Sequence, residues 1–107
     1  MTSNQVSISL TTKQSDFDQC AKMMSSSHPW IQLGLNENDC RNAFNGTERE
    51  IYTLKEDGII IGFLIIQPKG SFKGYIQTLC IDENYRGKGY GWQLLTFAEQ
   101  LIHQYSP

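Results

Sequence analysis

The run from Ile59 to Ile66, IIIGFLII, constrains this chain more than any other stretch. Apolar side chains stand at odd and even positions alike, so a strand built from it presents apolar groups to both faces of a sheet. Such a strand has to be central and covered on each side, which implies helices on both faces. The surrounding sequence agrees. REIYTLKEDGIIIGFLIIQ holds two strand-like runs joined at Asp57-Gly58, a pair that favours a tight hairpin turn. VSISLTT alternates Val6, Ile8 and Leu10 with polar residues, as a half-buried strand does.

Helical spacing supplies the covers. In SDFDQCAKMMSS, residues Phe17, Cys20, Ala21 and Met24 recur on one face; Ser15 stands in the N-cap position and Pro29 is expected to break the helix. Met23 and Met24 read as core and rim of that helix. NENDCRNAFNG predicts a short second helix with an Asn cap at its start and Asn45-Gly46 as its stop. QPKGSFKG reads as a turn and YIQTLCID as a further strand. Leu94, Leu95, Ala98, Leu101, Ile102 and Tyr105 then mark a last helix. The order β-α-α-β-β-β-α predicts a mixed α/β (α+β) domain with a mostly antiparallel sheet.

Composition narrows the function classes. A chain of 107 residues is of single-domain length, and a formal net charge of −2 offers no global basic field for nucleic acid or an anionic membrane. No apolar run approaches the ~20 residues of a membrane span, and the first residues lack the basic and apolar blocks of a secretory signal. Three widely spaced cysteines, Cys20, Cys40 and Cys80, form no CxxC pair, which fits reduced thiols in a cytoplasm better than a disulfide framework or a metal site.

The chemistry concentrates at YRGKGYGW, residues 85–92, between the last strand and the last helix. A strand running through glycines into a helix N-terminus is suited to an oxyanion. The first helical turn has unpaired N–H groups, the peptide dipoles add ~+0.5 charge there, and glycine leaves the backbone bare. Arg86 and Lys88 add cations at the rim. Trp92, Gln93 and Leu94 follow Gly91, which excludes the GxxxxGK[ST] phosphate loop. A GxGxG spacing after a late, hairpin-connected strand is a poor match to a dinucleotide fingerprint.

Read as [Q/R]-x-x-G-x-[G/A] on Arg86, Gly89 and Gly91, and along the whole of LCIDENYRGKGYGWQLL, the junction resembles the coenzyme A pyrophosphate loop of the GNAT superfamily of N-acetyltransferases. The element order is similar to the N-terminal part of that fold, from about Val6 to Tyr105. The resemblance implies an acetyltransferase domain over residues 5–107 that uses acetyl-CoA and no metal. The backbone of Leu79, Cys80 and Ile81 would hydrogen-bond the pantetheine arm. The N–H groups of Gly87, Lys88, Gly89, Tyr90, Gly91 and Trp92 would cradle the pyrophosphate, with Arg86 opening the loop and the Lys88 side chain reaching the phosphates. His28 and Trp30, in SSSHPWIQLG, are candidates for the acceptor site, where a small-molecule or peptide amine would attack the thioester directly. Cys80 is expected to be an inert core thiol.

Two departures from the family pattern bear on mechanism. GYIQTL, residues 74–79, holds no carboxylate where many members place a general base, and Tyr75 and Gln77 are the side chains expected to order a water that takes the proton. The family fold continues beyond this helix with further strands, so the chain is expected to be incomplete at its C-terminus and to show half of a cofactor cleft. An open sheet edge next to an apolar helix predicts association, either as a homodimer or as poor solubility of a lone monomer. A coenzyme A-binding module without turnover is the alternative reading.

Overall fold

A computed structural model describes residues 5–28, 30–45, 48–67 and 75–105. Strand β1 (Val6–Thr11) leads to helix α1 (Gln14–Ser25) and helix α2 (Glu37–Arg41), which tightens into a 3₁₀ turn at Asn42–Phe44. Strands β2 (Glu50–Glu56), β3 (Ile59–Gln67) and β4 (Tyr75–Ile81) follow, then a 3₁₀ turn at Glu83–Tyr85 and helix α3 (Tyr90–Tyr105). The four strands lie in chain order and every neighbouring pair is antiparallel. This is the expected mixed α/β order.

Strand β3 is covered on both faces, buried from Ile60 to Ile66. Phe63 and Ile65 pack with Cys20, Ala21, Met24, Cys40 and Phe44 on the side of α1 and α2. Leu64 and Ile66 pack with Leu94 and Ala98 of α3 on the other. Phe44 joins the first layer together, its ring 5.8 Å from Phe17 and 5.3 Å from Phe63.

Within β3 the alternation is broken at a bulge opposite β2; a second register shift, at Gln77, lies on β4. Leu54 pairs with Gly62 but Lys55 pairs with Ile60, so Ile61 has no partner across the ladder. That extra residue lets Ile60 and Phe63 face the same layer although three positions separate them. Gly62 next to the bulge sits against β4. A Cβ there would meet Ile81 Cδ1 at 2.7 Å and the Cys80 carbonyl oxygen at 2.9 Å. Glycine is what lets the two strands come together.

The hairpin at Asp57-Gly58 forms as expected, with φ of 51° and 85° at the two residues. Asn36 caps α2 reciprocally with Asp39: Asn36 Oδ1 accepts the Asp39 N–H at 2.8 Å, and Asp39 Oδ2 accepts the Asn36 N–H at 3.0 Å.

Three local expectations are corrected. Ser15 does not cap α1. The Lys13 carbonyl already accepts the Phe17 N–H, at 3.2 Å, and the buried Thr11 hydroxyl donates to Asp16 at 2.6 Å, which sets the first turn ahead of Ser15. Nor does α1 run on to the proline. Ser25 and Ser26 hydroxyls donate to the Lys22 carbonyl and Ser27 to the Met23 carbonyl, so side chains satisfy the helix end first. Leu10 is 53% exposed rather than facing the core. Pro29, Gly46 and the turn at 68–74 lie outside the described residues.

Candidate functional site

Antiparallel pairing decides which backbone groups of β4 are available. Asp82 donates its N–H to the Ile61 carbonyl at 2.8 Å, so its polar groups face β3. Alternate residues of a strand point their N–H and C=O to opposite edges. Cys80, paired with Phe63, therefore faces β3, whereas Leu79 and Ile81 face the outer edge, where the sheet has no further strand among the described residues. Arg86 supports this assignment: its Nε donates to the outward carbonyl of Ile81 at 3.0 Å. Of the three residues expected to offer backbone to a ligand, Leu79 and Ile81 present theirs to the outer edge, and Cys80 presents its own to β3.

The strand ends in a tight turn in which Asp82 Oδ1 accepts the Asn84 N–H at 2.9 Å. The chain then passes through Gly87 and Gly89, with φ of 79° and 86°, a conformation L side chains rarely adopt. Helix α3 begins at Tyr90, one turn earlier than its apolar periodicity suggests, so Tyr90, Gly91 and Trp92 are helical. The Gly89 carbonyl accepts the Gln93 N–H at 3.1 Å, which leaves the N–H groups before Gln93 as the unpaired donors of the first turn. Gly91 is informative here. A Cβ at that position would only touch Ile81 Cγ1 at 3.8 Å, ordinary contact. Glycine costs ~1 kcal/mol relative to alanine in a helix, and internal packing does not require it, as it would not where an outside ligand approaches the backbone.

A cleft of about 300 Å³ connects these features, lined by Leu79, Cys80 and Ile81 from β4, Tyr85, Arg86 and Gly87 from the turn, and Tyr90 and Gly91 from α3. His28 and Trp30 line its other side, so the structure brings the acceptor candidates to the same cleft as the glycine loop. Lys88, Gly89 and Trp92 are not in this lining. Lys88 Nζ stands over the Tyr85 ring, 5.5 Å from its centre, and Trp92 is 72% exposed. A larger hollow of about 410 Å³ between α1 and the Glu83–Tyr85 turn mixes Lys22 with Asp82 and Glu83, and its lining includes neither the edge residues of β4 nor the glycines.

Burial controls the thiols. The Cys80 thiol is pushed up to about 11, chiefly by desolvation, although a Ser27 hydrogen bond and the Arg86 charge work the other way. Cys20 is pushed up to about 12, again by burial first and then by the Asp16 carboxylate. Neither is a nucleophile at neutral pH, in line with the core role expected of Cys80. Gln77, one of the two side chains expected to order a water, donates to the Ala43 carbonyl at 3.5 Å.

One contact was not legible in the sequence. Tyr90 donates its hydroxyl to Glu56 Oε1 at 2.6 Å, tying the first residue of α3 to the end of β2. The carboxylate raises the phenol above its ordinary value. The partners are 34 positions apart and only the hairpin geometry brings them together.

Comparison with known proteins decides the family. The acetyltransferase (GNAT) family profile matches residues 14–105. The chain belongs to the GNAT family. Solved structures agree on the fold. A GNAT-family protein from Desulfovibrio desulfuricans superposes with a TM-score of 0.76 at 12% identity, covering 95% of this chain and 69% of that one. A ribosomal-protein-alanine N-acetyltransferase from Escherichia coli gives 0.75 at 17% identity, covering 94% and 61%. An aminoglycoside 6′-N-acetyltransferase complexed with coenzyme A gives 0.73 at 16% identity, covering 92% and 56%. This GNAT chain thus spans less than two thirds of the last two. Comparison with curated protein sequences gave no match. Within the GNAT chain no described helix is long and apolar enough to cross a membrane, and no group of three or more potential metal ligands occurs among the described residues.

Proposed function

We propose that this GNAT chain, over residues 5–107, is an acetyl-CoA-dependent N-acetyltransferase acting on a primary amine. One observation carries the reading: the outward backbone edge at Leu79 and Ile81 runs, within a single cleft, into the unpaired N–H groups at the start of α3. An extended amide-bearing chain such as pantetheine adds to a strand edge as another strand would. A pyrophosphate suits the helix N-terminus and the bare glycines, with Arg86 and Lys88 supplying charge.

In the reaction the amine nitrogen attacks the thioester carbonyl carbon, the carbon–sulfur bond breaks, and coenzyme A leaves as thiolate. An outward N–H, that of Leu79, is available to stabilise the oxyanion. The attacking ammonium must first lose a proton. Among the described side chains of the cleft His28 supplies an imidazole, the group most often used as a general base. Three buried free cysteines fit a reducing compartment, so we assign the chain to the cytoplasm. The part of the outer β4 edge ahead of Leu79, which the pantetheine arm leaves uncovered, is assigned to pairing with a second copy, to be tested by light scattering; a strictly monomeric mass in dilute solution counts against it.

The experiment is release of free thiol from acetyl-CoA with a panel of amines, run beside calorimetric titration with coenzyme A. Thiol release that requires an amine supports transfer. A chain that binds coenzyme A without release is a binding module, which the lack of a carboxylate from Tyr75 to Ile81 favours. Absence of coenzyme A binding overturns both.

A further inference from the structure

The acceptor side of the cleft is built almost without charge. No Asp, Glu, Lys or Arg stands between Lys22 and Glu37, the segment that brings His28 and Trp30 to the cleft. From Gly58 to Ile81, the two strands behind it and their connection, there is no Asp or Glu. The one fixed charge in the described lining is Arg86, which is positive. An aromatic ring stands there instead, that of Trp30, while Tyr85 and Tyr90 lie at the end assigned to coenzyme A. The Tyr85 face already has Lys88 over it. In the same segment as Trp30, Ile31 is 45% and Leu33 67% exposed, so its solvent side is apolar too.

We infer that the acceptor is a monoamine on an apolar, ring-sized body, and not a polyamine or an aminoglycoside; this rests on the acetyltransferase reading above. Taking several ammonium groups out of water requires carboxylates to receive them, because a desolvated cation without a partner is costly. Here a second or third ammonium would meet the Trp30 ring and a segment without a carboxylate. A single amine loses its charge before it attacks, so it needs no standing carboxylate, and its apolar body finds Trp30 beside it. The fold resemblance to an aminoglycoside-modifying enzyme therefore does not extend to the chemistry of this cleft.

The test measures thiol release from acetyl-CoA by the full chain with phenethylamine, spermidine and kanamycin in turn. The expected result is a kcat/KM for phenethylamine at least about tenfold above either polycation, the scale on which a pocket separates such groups. Equal or better turnover of spermidine or kanamycin overturns the inference while leaving acetyl transfer intact. If no amine is turned over, transfer fails and binding decides. In the coenzyme A-loaded chain, phenethylamine and not spermidine should change the Trp30 fluorescence of a Trp92→Phe variant; no change with phenethylamine overturns the inference. Trp30→Phe, which keeps a ring, should retain the preference, and Trp30→Ala should lose it. Preference intact in the alanine variant sinks the role of Trp30.

Discussion

Gly62→Ala tests whether the close approach of β3 and β4 is a requirement of the fold. The added methyl would stand 2.7 Å from Ile81 Cδ1, 2.9 Å from the Cys80 carbonyl oxygen and 3.5 Å from Leu94 Cδ1. The isoleucine tip has some freedom to move. The carbonyl belongs to the strand ladder, so relieving it moves β4 itself. Overpacking of this kind costs ~1–3 kcal/mol, offset by ~0.4–1 kcal/mol because alanine restricts the unfolded chain. The net loss is about 1–2 kcal/mol, which for a domain of this size lowers Tm by about 5–15 °C. Urea unfolding should show an earlier midpoint with an unchanged slope. Since Cys80 and Ile81 belong to the strand that borders the cleft, coenzyme A affinity measured by calorimetry should fall too. A midpoint that stays put or rises would refute the reasoning, because it would mean β4 yields without cost.

The remaining predictions concern the loop and the thiols. Gly89→Ala and Gly89→Glu share the penalty of a side chain at φ of 86°, ~1–2 kcal/mol, but only the glutamate places a carboxylate at the pyrophosphate position. The alanine variant should bind coenzyme A and the glutamate variant should not; equal affinity by calorimetry sinks the loop assignment. Arg86 is exposed and its Nε is spent on the Ile81 carbonyl, so Arg86→Ala should weaken coenzyme A binding by ~1 kcal/mol, the low end for a charge-assisted bond. An unchanged dissociation constant would remove Arg86 from the site. Cys20 and Cys80 hold their protons in the folded chain to about pH 12 and 11, against 9.0 as the ordinary value. Their contribution to stability is therefore complete below about pH 9 and declines as pH rises through 11 to 12. A thiol reagent at pH 8 should leave both unmodified until urea is added, and rapid labelling of the native chain would contradict the burial.

The fold was legible because its strongest signals are local and repeated. A run apolar in both registers states that β3 is covered twice, and Asp57-Gly58 states where the chain reverses. What escaped the sequence depends on partners distant in the chain. The position of the α1 start follows from Thr11 reaching Asp16 inside the core, and periodicity alone points to Ser15. The bulge at Ile61 is invisible as a pattern, since every neighbour is apolar, yet the lone glycine in an otherwise bulky strand is the usual mark of such a place. Gly62 could have been read that way.

The site divides along the same line. YRGKGYGW announces a bare backbone before a helix, and the geometry adds which way the groups face: Leu79 and Ile81 outward, the Ile81 carbonyl taken by Arg86, Cys80 inward, the first turn of α3 starting at Tyr90. Strand parity could have supplied the first of these, but only once the pairing of Asp82 with Ile61 was known. The meeting of His28 and Trp30 with β4 has no local signal at all, because it depends on α1 ending at its own serines and turning the following segment toward the strand. This makes the serine triplet part of the site's architecture. On the proposed reading, the hydroxyls that close α1 fix where the segment carrying His28 and Trp30 begins, so a helix terminus that touches no substrate would bear on specificity.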